Sequence, residues 1–403
     1  MSGSDKDTLK PGTRLVTGGR SGDFAGDVVN PPVWRASTHL YDSCEDLRSR
    51  KAHNKDGTFF YGRRGAPTQW ALSEALTALE PGAAGTVLYP SGVAAIVGAL
   101  LSVLRSGDVL LVADNAYDPT RSAAMGLLKT FGVRHRFFDP LDLEAYEAAF
   151  CDKTRAVMLE VPGSLTMEVC DIPALARIAR EKGAVSLVDN TWATALGFPA
   201  LERGCDIAIT ALTKHVGGHS DVMMGAASAG ERWYRRLRMG AQQLGHVVSP
   251  DDAALVLRGL RTMGVRLERQ TATALAVAEW LDARSDVAHV LSPLLPGTPG
   301  HALWQRDFTG GCGLFSFVLK GRDDAARCRL VDALELFGIG YSWGGFESLA
   351  LPFDVEDVRS AMAWPKEGWG VEDRYAIRLS IGLEDKEDLI ADLANGFAAM
   401  DEG

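Results

Sequence analysis

From about residue 66 to 262 the chain alternates short β-branched runs with alanine- and leucine-rich stretches at helical spacing. The runs are GTVLYP (85–90), DVLLVAD (108–114), VRHRFFD (133–139), RAVMLEV (155–161), AVSLVDN (184–190) and DIAITAL (206–212), and helical stretches fall between them at 92–104, 119–130, 142–150, 172–182 and 197–203. Continuous apolar strands separated by helices predict an α/β fold around a large, mostly parallel sheet covered on both faces. From about 263 onward the pattern changes. A long helical stretch, ERQTATALAVAEWLDAR (268–284), precedes strand-like GLFSFVLK (313–320), GIGYSWGG (338–345) and YAIRLSIGL (375–383), which predicts a smaller α+β C-terminal domain. Residues 1–65 are polar and rich in glycine and arginine, with NPPVW and KAHNKDG as turn material, and read as an arm. The expected domains are therefore 1–65, 66–262 and 263–403.

Composition narrows the class. With 403 residues and 46% hydrophobic positions the chain can bury a large core. Lysine and arginine total 42 against 52 acidic residues, a net charge of −10, which argues against a nucleic-acid partner. The longest apolar stretch, VAAIVGALLSVL (93–104), is shorter than the roughly 20 residues of a membrane span and is interrupted by Gly98. The N-terminus, MSGSDKDTLKPGTRLV, is polar, so neither membrane nor secretion is expected and the expected location is cytoplasmic. The six cysteines form no C-x-x-C pair and read as reduced packing residues rather than a catalytic thiol.

Ligands of open α/β sheets gather at strand carboxyl ends and helix N-termini. Here those positions hold Ser91-Gly92-Val93, Asp114 to Tyr117, Glu160 to Gly163, Asp189-Asn190 and the stretch ALTKHVGGHSD (211–221). Each has an ordinary reading. A strand, a small-residue turn and a helix are generic; Asp189 could cap a turn; Lys214 could be a solvated loop lysine. There is no G-x-G-x-x-G and no Walker motif, so neither a dinucleotide nor ATP is favoured. Taken in order, a phosphate cradle, a strand-end aspartate and a strand-end lysine are what pyridoxal 5'-phosphate needs for its phosphate, ring nitrogen and aldehyde. His215 and His219 have i, i+4 spacing, but Gly217 and Gly218 lie between them and no H-E-x-x-H glutamate is near, so no metal is expected.

The stretches YGRRGAPT (61–68), YPSGVAA (89–95), DNAYDPT (114–120), LEVPGSLTMEVCDI (159–172), VDNTWAT (188–194), ALTKHVGGHSDVMMG (211–225), RGLRTMGVRLERQ (258–270), YSWGGFES (341–348) and IRLSIGLED (377–385) resemble the Cys/Met-metabolism family of pyridoxal-phosphate enzymes. Within that family the pattern stands nearest the bacterial cystathionine β-lyases. The resemblance runs from about residue 12 to the end. It implies the fold-type I architecture of the aspartate-aminotransferase class, with a seven-stranded large-domain sheet, and a homotetramer built from two tight dimers. It also implies roles. Lys214 matches the lysine that bonds the cofactor aldehyde, Asp189 the partner of the pyridinium nitrogen, and Tyr117 the aromatic stacked on the ring. Gly92 and Val93, helped by Thr213, match the phosphate contacts. Tyr61 and Arg63 match the arm pair that reaches the neighbouring subunit's phosphate. Arg378 matches the arginine for the substrate α-carboxylate, Ser342 and Trp343 the segment beside it, and Arg64 is the candidate for the distal carboxylate of a long substrate.

The implied reaction is β-elimination of an amino acid such as L-cystathionine, with Lys214 and Tyr117 as catalytic residues, giving homocysteine, pyruvate and ammonia. Two departures stand out. Many relatives carry serine just before the lysine, at the position where this chain has Ala211, and γ-eliminating or γ-replacing relatives usually have asparagine before "PT" in the arm motif, where this chain has Ala66. The second departure and the YSWGG stretch lean toward β-lyase over a γ-lyase or γ-synthase; a non-catalytic family member is the remaining alternative.

Overall fold

The structure is a computed structural model, and it describes residues 9–362, 370 and 373–400. Its first sheet is built from β1 (Gly85–Tyr89), β2 (Val109–Ala113), β3 (Arg134–Phe138), β4 (Thr154–Glu160), β5 (Val185–Asp189), β6 (Ile207–Ala211) and β7 (Gly225–Ala229). These seven strands stand in the order β1-β7-β6-β5-β4-β2-β3. The second, five-stranded sheet contains β8 (Val287–Leu291), β9 (Leu314–Leu319), β10 (Gly338–Ile339), β11 (Leu349–Asp354) and β12 (Tyr375–Ser380), in the order β10-β11-β12-β9-β8. The α/β reading, with a large mostly parallel sheet and a smaller C-terminal sheet, holds.

The chain divides into two compact units, Met1–Leu104 with Pro199–Gly264, and Arg105–Phe198 with Val265–Gly403. In the first, β7 pairs antiparallel with both β1 and β6. Helix Pro67–Leu79 starts at a proline whose missing N–H costs nothing at that position, and the Ala66 N–H is taken by the Gln69 side chain at 3.2 Å. Helix Gly92–Val103 is capped by Ser91, whose Oγ accepts the Ala94 N–H at 3.1 Å. The β7 sequence, GAASA, lacks the β-branched signature and was not among the expected strands. Its smallness has a steric cause: a Cβ on Gly225 would lie 2.3 Å from the Ser91 carbonyl oxygen, so the Ser91-Gly92 turn rests on the strand itself.

In the second unit β2–β3, β2–β4 and β4–β5 are all parallel. Helix Ile172–Glu181 is capped by Asp171 and buries Ile172, Leu175, Ala176, Ile178 and Ala179, a spacing that lays one apolar stripe on the sheet. The C-terminal sheet packs Phe315, Phe317 and Leu319 of β9 with Ile377 and Leu379 of β12 into a core completed by Leu389, Leu393 and Phe397 of helix Lys386–Met400. Because side chains alternate along a strand, Arg378 points to the opposite face of β12, beside its register partner Ser316 of β9.

Other local expectations needed correction. The helix expected at 197–203 is instead Thr194–Gly197, since Pro199 cannot continue a helix and Phe198 before it is extended, at φ −148°. Only Gly338–Ile339 of GIGYSWGG is strand, because Ser342 and Gly344 adopt φ of 76° and 81°. Helix Pro250–Asp282 runs through positions 262 and 263. Residues 1–65, in which the sequence marked only turn material, contain helices Pro11–Thr17, Gly22–Ala25 and Cys44–Ala52.

Candidate active site

In the first unit the helix that follows β1 supplies an anion-binding end. Its first N–H groups, on Gly92 and Val93, precede the earliest possible intrahelical acceptor and sit at the positive end of the helix dipole. Glycine is required at 92: a Cβ there would come within 2.7 Å of the Ala211 Cβ at the end of β6. Beyond Ala211 the chain turns tightly. The Lys214 N–H bonds the Ala211 carbonyl at 3.1 Å, and the N–H groups of Gly217 and Gly218 return to the carbonyls of Leu212 and Lys214 at 2.8 and 2.7 Å. The turn also lies under helix Pro250–Asp282, where a Cβ on Gly259 would reach within 2.1 Å of the Gly217 oxygen. Lys214 is half-buried on this turn. The Thr213 hydroxyl donates to the Met224 carbonyl at 3.1 Å and accepts the Met224 N–H at 3.0 Å.

His215 is buried and His219 places Nδ1 against the Gly217 oxygen at 2.7 Å. Among the described residues no group of three or more His, Cys, Asp or Glu is arranged to hold a metal. The arm residues lie on a 3-10 turn, Gly62–Arg64. Tyr61 is exposed, Arg63 donates to the Gln242 carbonyl at 2.7 Å, and Arg64 sits 4.1 Å over the Phe60 ring. Arg63 and Arg64 line a cavity of about 70 Å³ with Arg238, Gln242 and His246.

In the second unit Glu160 and Asp189 are register partners at the ends of parallel β4 and β5. Asp189 is buried, and its Oδ1 accepts the Thr191 N–H at 3.0 Å together with the Thr191 hydroxyl. Burial, then the Asp189 charge, push the Glu160 carboxyl well above the usual carboxylate range. Glu160 Oε2 accepts the Tyr117 N–H at 2.6 Å and so fixes the backbone of the candidate stacking residue, whose ring remains 42% exposed. The Tyr117 hydroxyl is raised by burial and by the charges of Glu160 and Asp189, while Arg378 opposes them. Tyr117, Glu160, Asp189 and Arg378 thus share one electrostatic neighbourhood.

Arg378 is 8% exposed, and burial lowers its guanidinium to about 10. Nη2 donates to the Ser342 carbonyl at 2.8 Å, while Nε is buried without a hydrogen-bond partner. Among the described residues no carboxylate pairs with it, so this cation suits an incoming carboxylate. Ser342 is exposed and Trp343 half-buried in the adjoining loop.

These features fit a pyridoxal phosphate in kind: a helix N-terminus closed against a side chain at Gly92 for the phosphate, and a buried strand-end carboxylate for a protonated ring nitrogen. Glu160 was among the strand-end positions of the sequence reading but was given no role, and Thr191 was not singled out. The signal for Glu160 was present, since it ends the strand one helix before that of Asp189; that for Thr191 was only its place in an Asp-x-Thr turn.

Residues 12–398 match the family described as Cys/Met metabolism PLP-dependent enzyme. The chain is 42% identical over 391 residues to cystathionine beta-lyase of Escherichia coli strain K12, covering 96% of this chain and 98% of that protein. It is also 42% identical over 394 residues to cystathionine beta-lyase of Salmonella typhimurium, covering 96% and 98%. A solved structure of cystathionine gamma synthase from Xanthomonas oryzae pv. oryzae, in complex with aminoacrylate and cysteine, aligns with a TM-score of 0.88 at 33% identity over 98% of this chain and 99% of that one. The chain belongs to the Cys/Met metabolism family of pyridoxal-phosphate-dependent enzymes.

Proposed function

We propose that the protein is a carbon–sulfur β-lyase that converts L-cystathionine and water to homocysteine, pyruvate and ammonia, a step in methionine biosynthesis. The observation that carries this reading is Arg378, a buried cation without a carboxylate partner among the described residues, in the same electrostatic neighbourhood as Tyr117 and Asp189. Near-full-length likeness to two cystathionine beta-lyases supports the substrate.

Bound pyridoxal phosphate supplies an electron-withdrawing ring conjugated with the substrate Cα. Arg378 holds the α-carboxylate by two parallel N–H bonds, with Ser342 and Trp343 lining that side. Asp189 would hold the ring nitrogen in its protonated form, and Tyr117 would lie against the ring. Gly92 and Val93 donate N–H bonds to the phosphate; Thr213 adds its hydroxyl by redirecting the hydrogen now given to Met224. Lys214 would take the proton from the substrate Cα, with Tyr117 beside it, and would pass a proton to the departing sulfur at Cβ. Arg64 receives the distal carboxylate.

We assign residues 1–65 to an arm, 66–262 to the cofactor-binding domain and 263–403 to the small domain. In a homotetramer of two dimers, Tyr61 and Arg63 reach the neighbouring subunit's phosphate. Exposed Val28, Val29, Trp34 and Leu40 in the arm, Leu40 at 87%, support its covering by a second copy. A cytoplasmic location is supported by six free cysteines; separately, no helix among the described residues is long and apolar enough to cross a membrane.

The test is product analysis with added pyridoxal phosphate and L-cystathionine. Pyruvate is expected, and it disappears in Lys214→Ala. Formation of 2-oxobutyrate instead supports γ-elimination, and turnover by Lys214→Ala at the wild-type rate overturns the catalytic reading.

A further inference from the structure

Asp114 follows β2 directly, three residues before Tyr117, and is completely buried. Its Oδ2 accepts the successive backbone N–H groups of Ser360, Ala361 and Met362 at 2.7, 2.7 and 2.8 Å. Its Oδ1 accepts the Ser360 hydroxyl at 2.7 Å and an Arg121 N–H at 2.5 Å. Successive N–H groups closing on one oxygen make an anion nest, here filled by a side chain of the same chain. Burial alone would raise this carboxyl, but the bonds from Met362, Arg121 and Ser360 hold it at about 2.

The preceding residue is anchored independently. Arg359 donates to the Ser164 carbonyl at 2.7 Å, to the Thr166 hydroxyl and to Glu168 at 3.1 Å, and both side chains of that ion pair are 2% exposed. Residues 359–362 lie on the connection from β11 to β12, the strand that carries Arg378. One anchor is therefore on the loop of Tyr117. The other is on the loop after β4, whose Glu160 holds the Tyr117 N–H. Both ties bear on the spacing between the stacking aromatic and the carboxylate-binding arginine.

We infer that Asp114 is a positioning residue: by binding the backbone of Ser360, Ala361 and Met362 it fixes Tyr117 relative to Arg378, and so sets where the substrate α-carboxylate lies against the stacked ring. The inference rests on the roles proposed for Tyr117 and Arg378. Asparagine at 114 is nearly isosteric, but its amide nitrogen would turn N–H groups toward N–H donors, so one side of the nest is lost.

Hydrogen exchange of the apoprotein, followed by mass spectrometry, tests the tie without any reaction: amides 360–362 exchange about tenfold faster in Asp114→Asn. In the holoenzyme KM for L-cystathionine rises roughly 10- to 100-fold, while kcat and pyridoxal-phosphate affinity stay within about threefold. Ser360→Ala, at an exposed position that does not threaten folding, removes one donor and raises KM about threefold. Unchanged exchange at 360–362, or faster exchange with unchanged KM in both variants, overturns the role of Asp114 while leaving the lyase reading intact. Wild-type holoenzyme that forms no pyruvate defeats that reading and this inference with it.

Discussion

Replacing Arg378 with methionine should stabilise the protein and cripple it together. The guanidinium sits at about 10 against an ordinary 12.5, a fall of about 2.5 pH units caused by burial. At about 1.36 kcal/mol per unit, the charged side chain costs the folded state about 3 kcal/mol. The folded value is the lower one, so this cost is present throughout the range below about 10, including neutral pH. Against it stands the single bond to the Ser342 carbonyl, worth about 1 kcal/mol. Methionine follows much of the same path without charge, so Arg378→Met should gain about 2 kcal/mol in apoprotein stability, seen as a raised urea midpoint by circular dichroism at pH 7.5. If Arg378 holds the substrate carboxylate as proposed, the same variant removes its bidentate partner and KM should rise by about 10²- to 10³-fold. Arg378→Lys restores the charge without the fork and should recover only part of that loss. A methionine variant destabilised by more than about 1 kcal/mol, or one whose KM stays within about threefold of wild type, refutes the argument.

Two further outcomes follow from the buried carboxyls. Glu80 is pushed to about 7 by burial, although it accepts the Leu201 N–H at 2.9 Å. Its folded value is raised above the unfolded 4.5, so its contribution is fully present below pH 4.5 and is lost as pH rises through 7, a change of about 3 kcal/mol. Glu80→Gln should flatten urea midpoints between pH 5 and 8.5, and a slope equal to wild type would count against the assignment. Glu160→Gln still offers the Tyr117 N–H an oxygen acceptor and should retain activity within about threefold, whereas Glu160→Ala leaves that N–H without its partner and should lose roughly 10- to 100-fold in kcat/KM. Equal losses in both variants would mean that Glu160 acts as a charged group.

The sheet was legible where burial on both faces demanded β-branched residues, as in VLLVA of β2 and VSLVD of β5, and illegible where a close approach demanded smallness, as in GAASA of β7. The strand-end places of Asp189 and Lys214 were legible because strand ends are marked by the pattern itself. The tie from Asp114 to Ser360, Ala361 and Met362 spans more than 240 positions and uses backbone N–H groups, which carry no residue signature. Ala211 looked like a missing hydroxyl in the sequence. In the structure it faces Gly92, so the methyl marks how closely the helix start approaches β6, and a larger residue at either position would push them apart.

The alternation of β12 connects these observations to chemistry. Ile377 and Leu379 seal the core of the small sheet, and that rigid packing fixes the direction of Arg378 on the other face. A buried cation is tolerable there because its cost falls on folding, while its return comes only with a carboxylate of the right shape. Asp189 and Glu160 meet the opposite condition. Two carboxyls at neighbouring strand ends cannot both ionise cheaply, and Asp189 has a hydroxyl and an N–H on the same oxygen. Glu160, raised by burial and by the Asp189 charge, accepts the Tyr117 N–H. The neighbourhood therefore sets a buried strand-end carboxyl near a cation that has no carboxylate partner among the described residues, which is the arrangement that the proposed ring-nitrogen and substrate-carboxylate roles require.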